Sequence, residues 1–425
     1  MVQIMGKTIT FSLFQNKGVK QTILKNTFWL TLSEVFSKGL FAVLAIFIAR
    51  YLGAEGFGKF SFVFGFVILF SIVADFGLVT MTIREVARDV VLARKYISNI
   101  LAIKLILGVI TIAIIIIAFS FLNKTSEIRT LIIWAGIWVV VQSFVQFFQS
   151  IFRAFEKMEY EAFSKIIYSV VLFGIVFFAM YSRFGIGALI KSYIIASLIS
   201  FFITLFLIKK KFVEFKIEVD LSFWRSLLSR AWPFAFFMIF SVIYFQISTV
   251  MLSVMVGDIA TGLYSVAFNS VAVFLLLAEI VANSILPALS KSFGKDGVFK
   301  RLLKKLFWAL LDIGLFLAVI LFFTAPFFIK LIYGGQFAGA IAAFQVMVWI
   351  LPIRFMNYLF GVSLIAANLQ KKRLNAVIVC ALFNVLANLI LIPIFSFMGA
   401  AVATLATEAV LFSLYFVYYK KIRNA

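Results

Sequence analysis

Long apolar runs, interrupted at short intervals by Lys, Arg, Gly and Pro, fill the chain from about residue 27 onward. Twelve stand out, at 27–49, 57–79, 100–122, 130–151, 163–182, 186–208, 232–255, 263–286, 305–325, 339–366, 373–394 and 398–418. Each is close to the ~20 residues a helix needs to cross a hydrocarbon layer ~30 Å thick. Backbone in lipid must satisfy its own hydrogen bonds, which leaves helices or closed barrels. The runs lack the polar–apolar alternation of barrel strands. The pattern predicts an all-α polytopic membrane protein of about twelve transmembrane helices.

Charge orders these runs. Of the 39 Lys and Arg, twenty-nine fall before the first run, after the last, or in alternate breaks. These include Lys7 to Lys25, Arg84 to Lys95, Arg153 to Lys165, Lys209 to Arg230, Lys291 to Lys305, Lys371 to Arg373 and Lys420 to Arg423. The opposite set holds only Arg50, Lys59, Lys124, Arg129, Arg183 and Lys330. The positive-inside rule then places both termini in the cytoplasm of a cell that carries the chain in its plasma membrane. A miscounted run would have broken the alternation.

Composition narrows the class. Hydrophobic residues are 64% and charged residues 13%, where soluble domains carry about 25% charged, so lipid must be the main solvent. The net charge of +22 lies in short breaks facing anionic headgroups, which argues against a nucleic-acid partner. There is no histidine, and Cys380 is alone, so no internal disulfide can form and no cofactor or metal is expected. The first 26 residues show no short apolar core with a small-residue cleavage site, so no cleaved signal is expected.

A shift of 204 superposes the second and eighth runs: Gly53 on Gly257, Gly58 on Gly262, Ser61 on Ser265, Phe64 on Phe268 and Asp75 on Glu279. Two six-helix lobes follow, at residues 1–208 and 232–425, joined by a cytoplasmic linker at 209–231 that serves as hinge. Their shared cleft is where a substrate is expected.

Charges inside the runs cost at least about 2.5 kcal/mol each and must meet a partner or a wet cavity. Glu34 and Lys38 lie four apart on one helix face; they pair with each other, or Lys38 offers positive charge to an anionic headgroup while Glu34 tunes it. Arg354 can hold a pyrophosphate bidentately, or form a structural ion pair with an acid such as Glu408. Lys104 and Lys191 lie near run ends, where lysines commonly snorkel. Asp75, Glu279, Asp312 and Glu408 are candidates for coupling or gating; the first three can pair with loop arginines such as Arg84. Gln142, Gln146 and Gln149 form one stripe, and Asn357, Asn384 and Asn388 add amides able to bind sugar hydroxyls or to join helices. The candidate substrate-binding set is Lys38, Arg354, Glu34, Gln146, Asn357 and Lys191.

Other signals carry no chemistry. Gly53 to Lys59 is a near match to a phosphate-binding loop, but Phe60 stands where Ser or Thr should hold the metal and no strand precedes it. It reads as a turn. Thr82 to Ser98 is basic and amphipathic, as for a helix lying on the cytoplasmic interface. No catalytic triad or acidic metal motif can be assembled, so an enzyme is not expected.

Ala49-Arg50-Tyr51-Leu52-Gly53, continuing to Gly58, then Asp75-Phe76-Gly77-Leu78 and Arg84-Glu85, resemble the amino-terminal signature of polysaccharide flippases. These belong to the multidrug/oligosaccharidyl-lipid/polysaccharide exporter (MOP) superfamily. Tyr333-Gly334, the Asn384 and Asn388 pair, Ile392-Pro393, Gly399-Ala400-Ala401 and Glu408 agree with it. The resemblance spans about Leu24 to Tyr418. It implies two lobes in the V of multidrug exporters, alternating access around a cationic cavity, and a polyprenyl-(pyro)phosphate-linked oligosaccharide moved to the outer leaflet. Membrane lipid, that cargo and a glycan polymerase or glycosyltransferases would be its partners, and the chain would act as a monomer. Two other readings stand beside it. One is a cation-coupled small-molecule or drug exporter of the same superfamily, with an acidic cavity. The other is a non-transporting scaffold of a glycan-assembly complex, with an apolar lobe interface.

Overall fold

A computed structural model describes the backbone of residues 18–293 and 297–423. The described residues are helical, with short turns and no strand. In chain order the helices are α1 Val19–Leu69, α2 Ser71–Asp75, α3 Leu78–Arg88, α4 Ala93–Ser120, α5 Ser126–Ala154, α6 Met158–Tyr181 and α7 Ile186–Lys211. There follow α8 Leu221–Met255, α9 Asp258–Ser292, α10 Val298–Tyr333, α11 Ala340–Met347, α12 Ile350–Ala366 and α13 Gln370–Arg423. Ten stretches among the described residues are long and apolar enough to cross a membrane. The protein is a multi-pass, all-α membrane protein.

Two of the ten are too long to be single spans. Helix α1 has 51 residues and α13 has 54, and at ~1.5 Å per residue each would run more than twice the ~30 Å hydrocarbon thickness. Each is interrupted where the sequence runs break. Gly53 has φ 71° and ψ −178°, and Ser396 has φ 54° and ψ −135°. Glycine takes positive φ without strain, which suits position 53. At Ser396 the chain doubles back: a Cβ on Gly399 would strike the carbonyl of Leu391, although eight residues of straight helix would hold them about 12 Å apart. Dividing α1 and α13 at these points turns ten apolar stretches into twelve.

Packing divides the chain into two units. One runs up to Leu44 and resumes over Phe70–Met238; the other combines Ala45–Leu69 with Ile239 onward. The far half of α1 thus keeps company with the second unit, and residues 209–231 with the first. Basic residues Lys7, Lys17 and Lys295, and the two termini assigned to the cytoplasm, lie outside the described residues.

In the first unit α5 supplies a ridge of aromatics: Phe147, Phe148 and Phe152 are fully buried against Ile97 and Ile100 of α4 and Leu78 of α3. Helix α3 turns Leu78, Met81, Thr82 and Val86 into protein. The amphipathic segment Thr82 to Ser98 turns Val86, Ala93, Tyr96 and Ile97 into a buried cluster that includes Phe147 and Leu227, and leaves Arg84, Arg88, Val90, Val91, Arg94 and Lys95 exposed. Asn99 of α4 pins the segment before α8: its Oδ1 accepts from Asp220 N at 2.9 Å and from Trp224 Nε1 at 3.0 Å. Lys95 lies 3.4 Å from Asp220 and over the Phe223 ring.

In the second unit the end of α1 crosses α9 at two glycines. A Cβ on Gly58 would strike the carbonyl of Asp258, and one on Gly262 the carbonyl of Ala54. Arg50 donates to the carbonyls of Leu331 and Ile332 at the end of α10, the second at 2.6 Å, where a cation also meets the negative end of the helix dipole. Gln336 returns a bond to the Arg50 carbonyl at 3.0 Å. Glu55 and Lys59 pair at 2.9 Å along the helix, so the stretch that imitates a phosphate-binding loop is a break followed by helix.

Candidate functional site

The intramembrane charges collect in three places, two in the first unit and one in the second.

The first is a ladder between α1, α5 and α6. Glu34 lies 3.5 Å from Lys38 and 2.5 Å from Lys165. Lys165 reaches on to Glu161 at 2.8 Å, and Arg153 clasps Glu161 through two bonds of 2.6 and 2.5 Å. About two and a half turns before Glu34 on α1, Lys25 is buried on Glu159 at 3.0 Å. Glu34 and Lys38 pair along one helix face, as spacing predicts, but the shorter contact of Glu34 is to Lys165. That residue was grouped with the loop cations because it stands only two positions into its run. Its depth follows from α6 starting at Met158, a helical turn and more before the apolar run.

The second is a pair at the break between α2 and α3. Lys104 is fully buried and donates to the Ala74 carbonyl at 3.0 Å and to Asp75 Oδ1 at 3.2 Å. Asp75 Oδ1 also accepts from Val79 N at 3.3 Å, while Oδ2 is buried with no hydrogen-bond partner. Phe76 and Gly77 both have positive φ, so the helix stops there and leaves backbone groups for Lys104 to satisfy. Lys104 does not snorkel: α4 begins at Ala93, placing it three turns inside. Asp75 does not pair with Arg84, whose carboxylate neighbour is Glu85 at 3.8 Å.

The third lies in the second unit. Arg354 of α12 donates to Glu408 of α13 and, at 3.0 Å, to the Tyr244 hydroxyl of α8; that hydroxyl also bonds Glu408. Asn357, one turn on from Arg354, donates to Glu408 Oε2 at 2.8 Å. Phe245, Tyr244 and Tyr358 surround the guanidinium with ring centroids 4.9 to 5.6 Å from it. Arg354 is 9% exposed and Glu408 2%. A small cavity adjoins the pair, with Phe245, Phe268, Asn384 and Thr407 in its wall. Of the two arrangements open to Arg354, the ion pair with Glu408 is the one observed. Beside it Asn384, Asn388, Ser248 and Thr407 form a closed amide–hydroxyl knot, with Asn384 on Thr407 at 2.9 Å and Asn388 on Ser248 at 2.9 Å.

The remaining candidates are dispersed. Lys191 is exposed and lies over the Trp134 ring at 4.8 Å. Gln146 and Asp312 are exposed, and Glu279 is half-buried. The other two amides of the glutamine stripe join helices: Gln149 donates to Ser164 at 3.1 Å and Gln142 accepts from Ser197 at 3.1 Å. Among the described residues no group of three or more His, Cys, Asp or Glu is placed to hold a metal. Tyr244, Lys165, Arg153 and Glu161 are among the members of these clusters that sequence reading missed.

Residues 23–293 match the model of the family described as "Polysaccharide biosynthesis protein", more than half of the chain. The chain belongs to that family. No curated protein matches the sequence. Solved structures share the fold of the MOP superfamily. "Lipid II flippase MurJ, inward closed conformation" superposes with a TM-score of 0.75 at 16% identity, over 92% of this chain and 87% of that one. An inward-facing multidrug resistance MATE family transporter gives 0.71 at 16% identity, over 91% and 96%. A MOP superfamily transporter from Pyrococcus furiosus, described as having a binding pocket of reverse polarity, gives 0.64 at 15%, over 94% and 96%.

Proposed function

We propose that this family member is a flippase. It carries a polyprenyl-(pyro)phosphate-linked oligosaccharide from the cytoplasmic to the outer leaflet by alternating access, with both termini in the cytoplasm. Its expected companions are the glycosyltransferases that load the carrier and the polymerase that uses it. The observation that carries the reading is the pairing, in a polysaccharide-family fold, of the bases Lys38, Lys165 and Arg354 with acids they can release. Lys38 and Lys165 share Glu34, and Arg354 rests on Glu408. An anionic headgroup can take over those bases at the cost of an ion pair, without creating a bare charge in lipid. A drug exporter for organic cations fits less well, because Glu34, Asp75 and Glu408 are each already held by a base.

The test is reconstitution of the full chain in liposomes with candidate lipid-linked oligosaccharides, scoring sugar accessible at the outer leaflet. Lys38→Ala and Arg354→Ala should each abolish the signal at normal protein level. Full transport by both singles and the double would remove these residues from the site, and no movement of any lipid-linked sugar by the parent chain would remove the function.

A further inference from the structure

We propose that Glu34 is a built-in substitute for a phosphate, its carboxylate occupying the place between Lys38 and Lys165 that a prenyl-linked phosphate takes when it binds. The inference rests on the flippase reading for the identity of the lipid and adds a subsite, with Lys165 as its second base.

The two ends of the ladder differ. At the inner end Glu161 is fully buried, bonded by Arg153 through two oxygens and by Lys165. That end is fixed. At the outer end the Glu34 and Lys38 side chains are 42% and 35% exposed, and Glu34 is held by the ammonium groups of Lys38 and Lys165. The backbones behind them do not give: Ser37 bonds the Lys165 carbonyl at 3.4 Å, and Lys25 locks α1 to α6 through Glu159. Two lysines from tethered helices, bridged by one half-exposed carboxylate, thus meet at a surface.

Charge gives the direction of exchange. The ladder holds Lys38, Lys165 and Arg153 against Glu34 and Glu161, an excess of one positive charge. With Glu34 swung aside the excess is two, and the pyrophosphate of a sugar-loaded carrier, with two negative charges, supplies more than the carboxylate it displaces. Two phosphate oxygens present themselves much as a carboxylate does, and ammonium groups bind phosphate as point charges. Lys165 lies seven residues into α6, about 10 Å along it from Met158, toward the end of the helix that the basic residues Arg153 and Lys157 flank. Tails can remain in lipid while the headgroup enters. Half-exposed charge at that depth is tolerated only against water or a headgroup.

The experiment uses the full chain in phosphatidylcholine nanodiscs and farnesyl pyrophosphate, a prenyl pyrophosphate without sugar, as probe. Glu34→Gln should bind it at least about fivefold more tightly than the parent, the release of one partly exposed ion pair. Glu34→Asp, whose shorter carboxylate cannot bridge both lysines, should fall between. The gain should vanish in Glu34→Gln/Lys165→Ala. Unchanged or weaker binding by Glu34→Gln at an unaltered melting temperature would overturn the proposal. So would loss of the gain in phosphatidylglycerol nanodiscs, which would make the site one for ordinary anionic phospholipid. Should Glu34→Gln lower the melting temperature, the Asp variant decides. Because the probe carries no sugar, tightening without glycan movement would sink the flippase reading and leave this site standing.

Discussion

The Lys104–Asp75 pair offers the sharpest test of what buried charge does here. Lys104 has no exposed surface and Asp75 almost none, and the ammonium bonds Asp75 and the Ala74 carbonyl. Lys104→Met keeps the side-chain volume and strands the Asp75 carboxylate, which then retains only the Val79 amide. Stranding one member of a buried pair costs about 3–5 kcal/mol, whereas replacing both with uncharged groups is close to neutral. The expectation is a loss of that size in Lys104→Met and a loss of at least about 2 kcal/mol in Asp75→Asn, where an amide oxygen still accepts from the ammonium. Lys104→Met/Asp75→Asn should recover most of it. Unfolding in detergent followed through Trp fluorescence gives all four corners of the cycle. Losses that simply add would refute the pairing. The same double variant separates two roles for Asp75. If the pair only fixes the break at Phe76 and Gly77, the double should transport as well as it folds. If Asp75 carries a coupling proton, stability returns and transport does not.

Three further outcomes are expected. Gly262→Val should be more damaging to the second unit than Gly65→Val, because its Cβ would strike the Ala54 carbonyl while that on Gly65 meets only ordinary contacts; cysteine accessibility around Ala54 reads the difference. Arg50→Ala should cost about 1 kcal/mol, the value of a cation at a helix C-terminus, and raise amide exchange in residues 331–337. The linker anchor should loosen in acid: bonds from Ser222 and Phe223, aided by Lys95, hold the Asp220 carboxyl down from its usual 3.8 to about 2. A depressed carboxylate contributes stability above about pH 4 that is lost as pH falls toward 2. Exchange at Phe223 should therefore rise over that window in the parent, and be pH-independent there in Asp220→Asn.

How much of this was legible follows from what each signal depends on. Spans depend on local hydropathy, so twelve apolar runs could be read directly, and even the turns at Gly53 and Ser396 fall between them although helix continues on both sides. Partner choice depends on depth and facing, which hydropathy does not encode. Lys165 passes for a loop cation until α6 is seen to begin a turn earlier than its apolar run. Asp75 could meet Arg84 in sequence, yet the break at Phe76 turns its carboxylate toward α4. The amphipathic signal of α3 was correct, but a moment says only that one face is apolar, not whether lipid or protein covers it. The Arg354–Glu408 pair could be named in advance because both lie mid-run with few alternatives. Tyr244 could not, since a tyrosine among so many aromatics carries no mark.

The internal repeat gains most from the structure, through the logic of its closest contact. Helices that happen to share glycines under a shift of 204 have no reason to touch at those glycines. Here Gly58 meets the Asp258 carbonyl and Gly262 meets that of Ala54, while the shift carries Ala54 to Asp258 and Gly58 to Gly262. Each contact is the image of the other, so a local two-fold axis passes between the segments. Reciprocity of this kind is the mark of an isologous interface between copies. It requires both glycines at once, since a side chain on either side separates the same pair of backbones. A variant with Gly58→Ala and Gly262→Ala together should cost little more than either alone, because the first methyl has already parted the crossing. Additive losses in a thermal melt would mean that the two glycines do not share one contact.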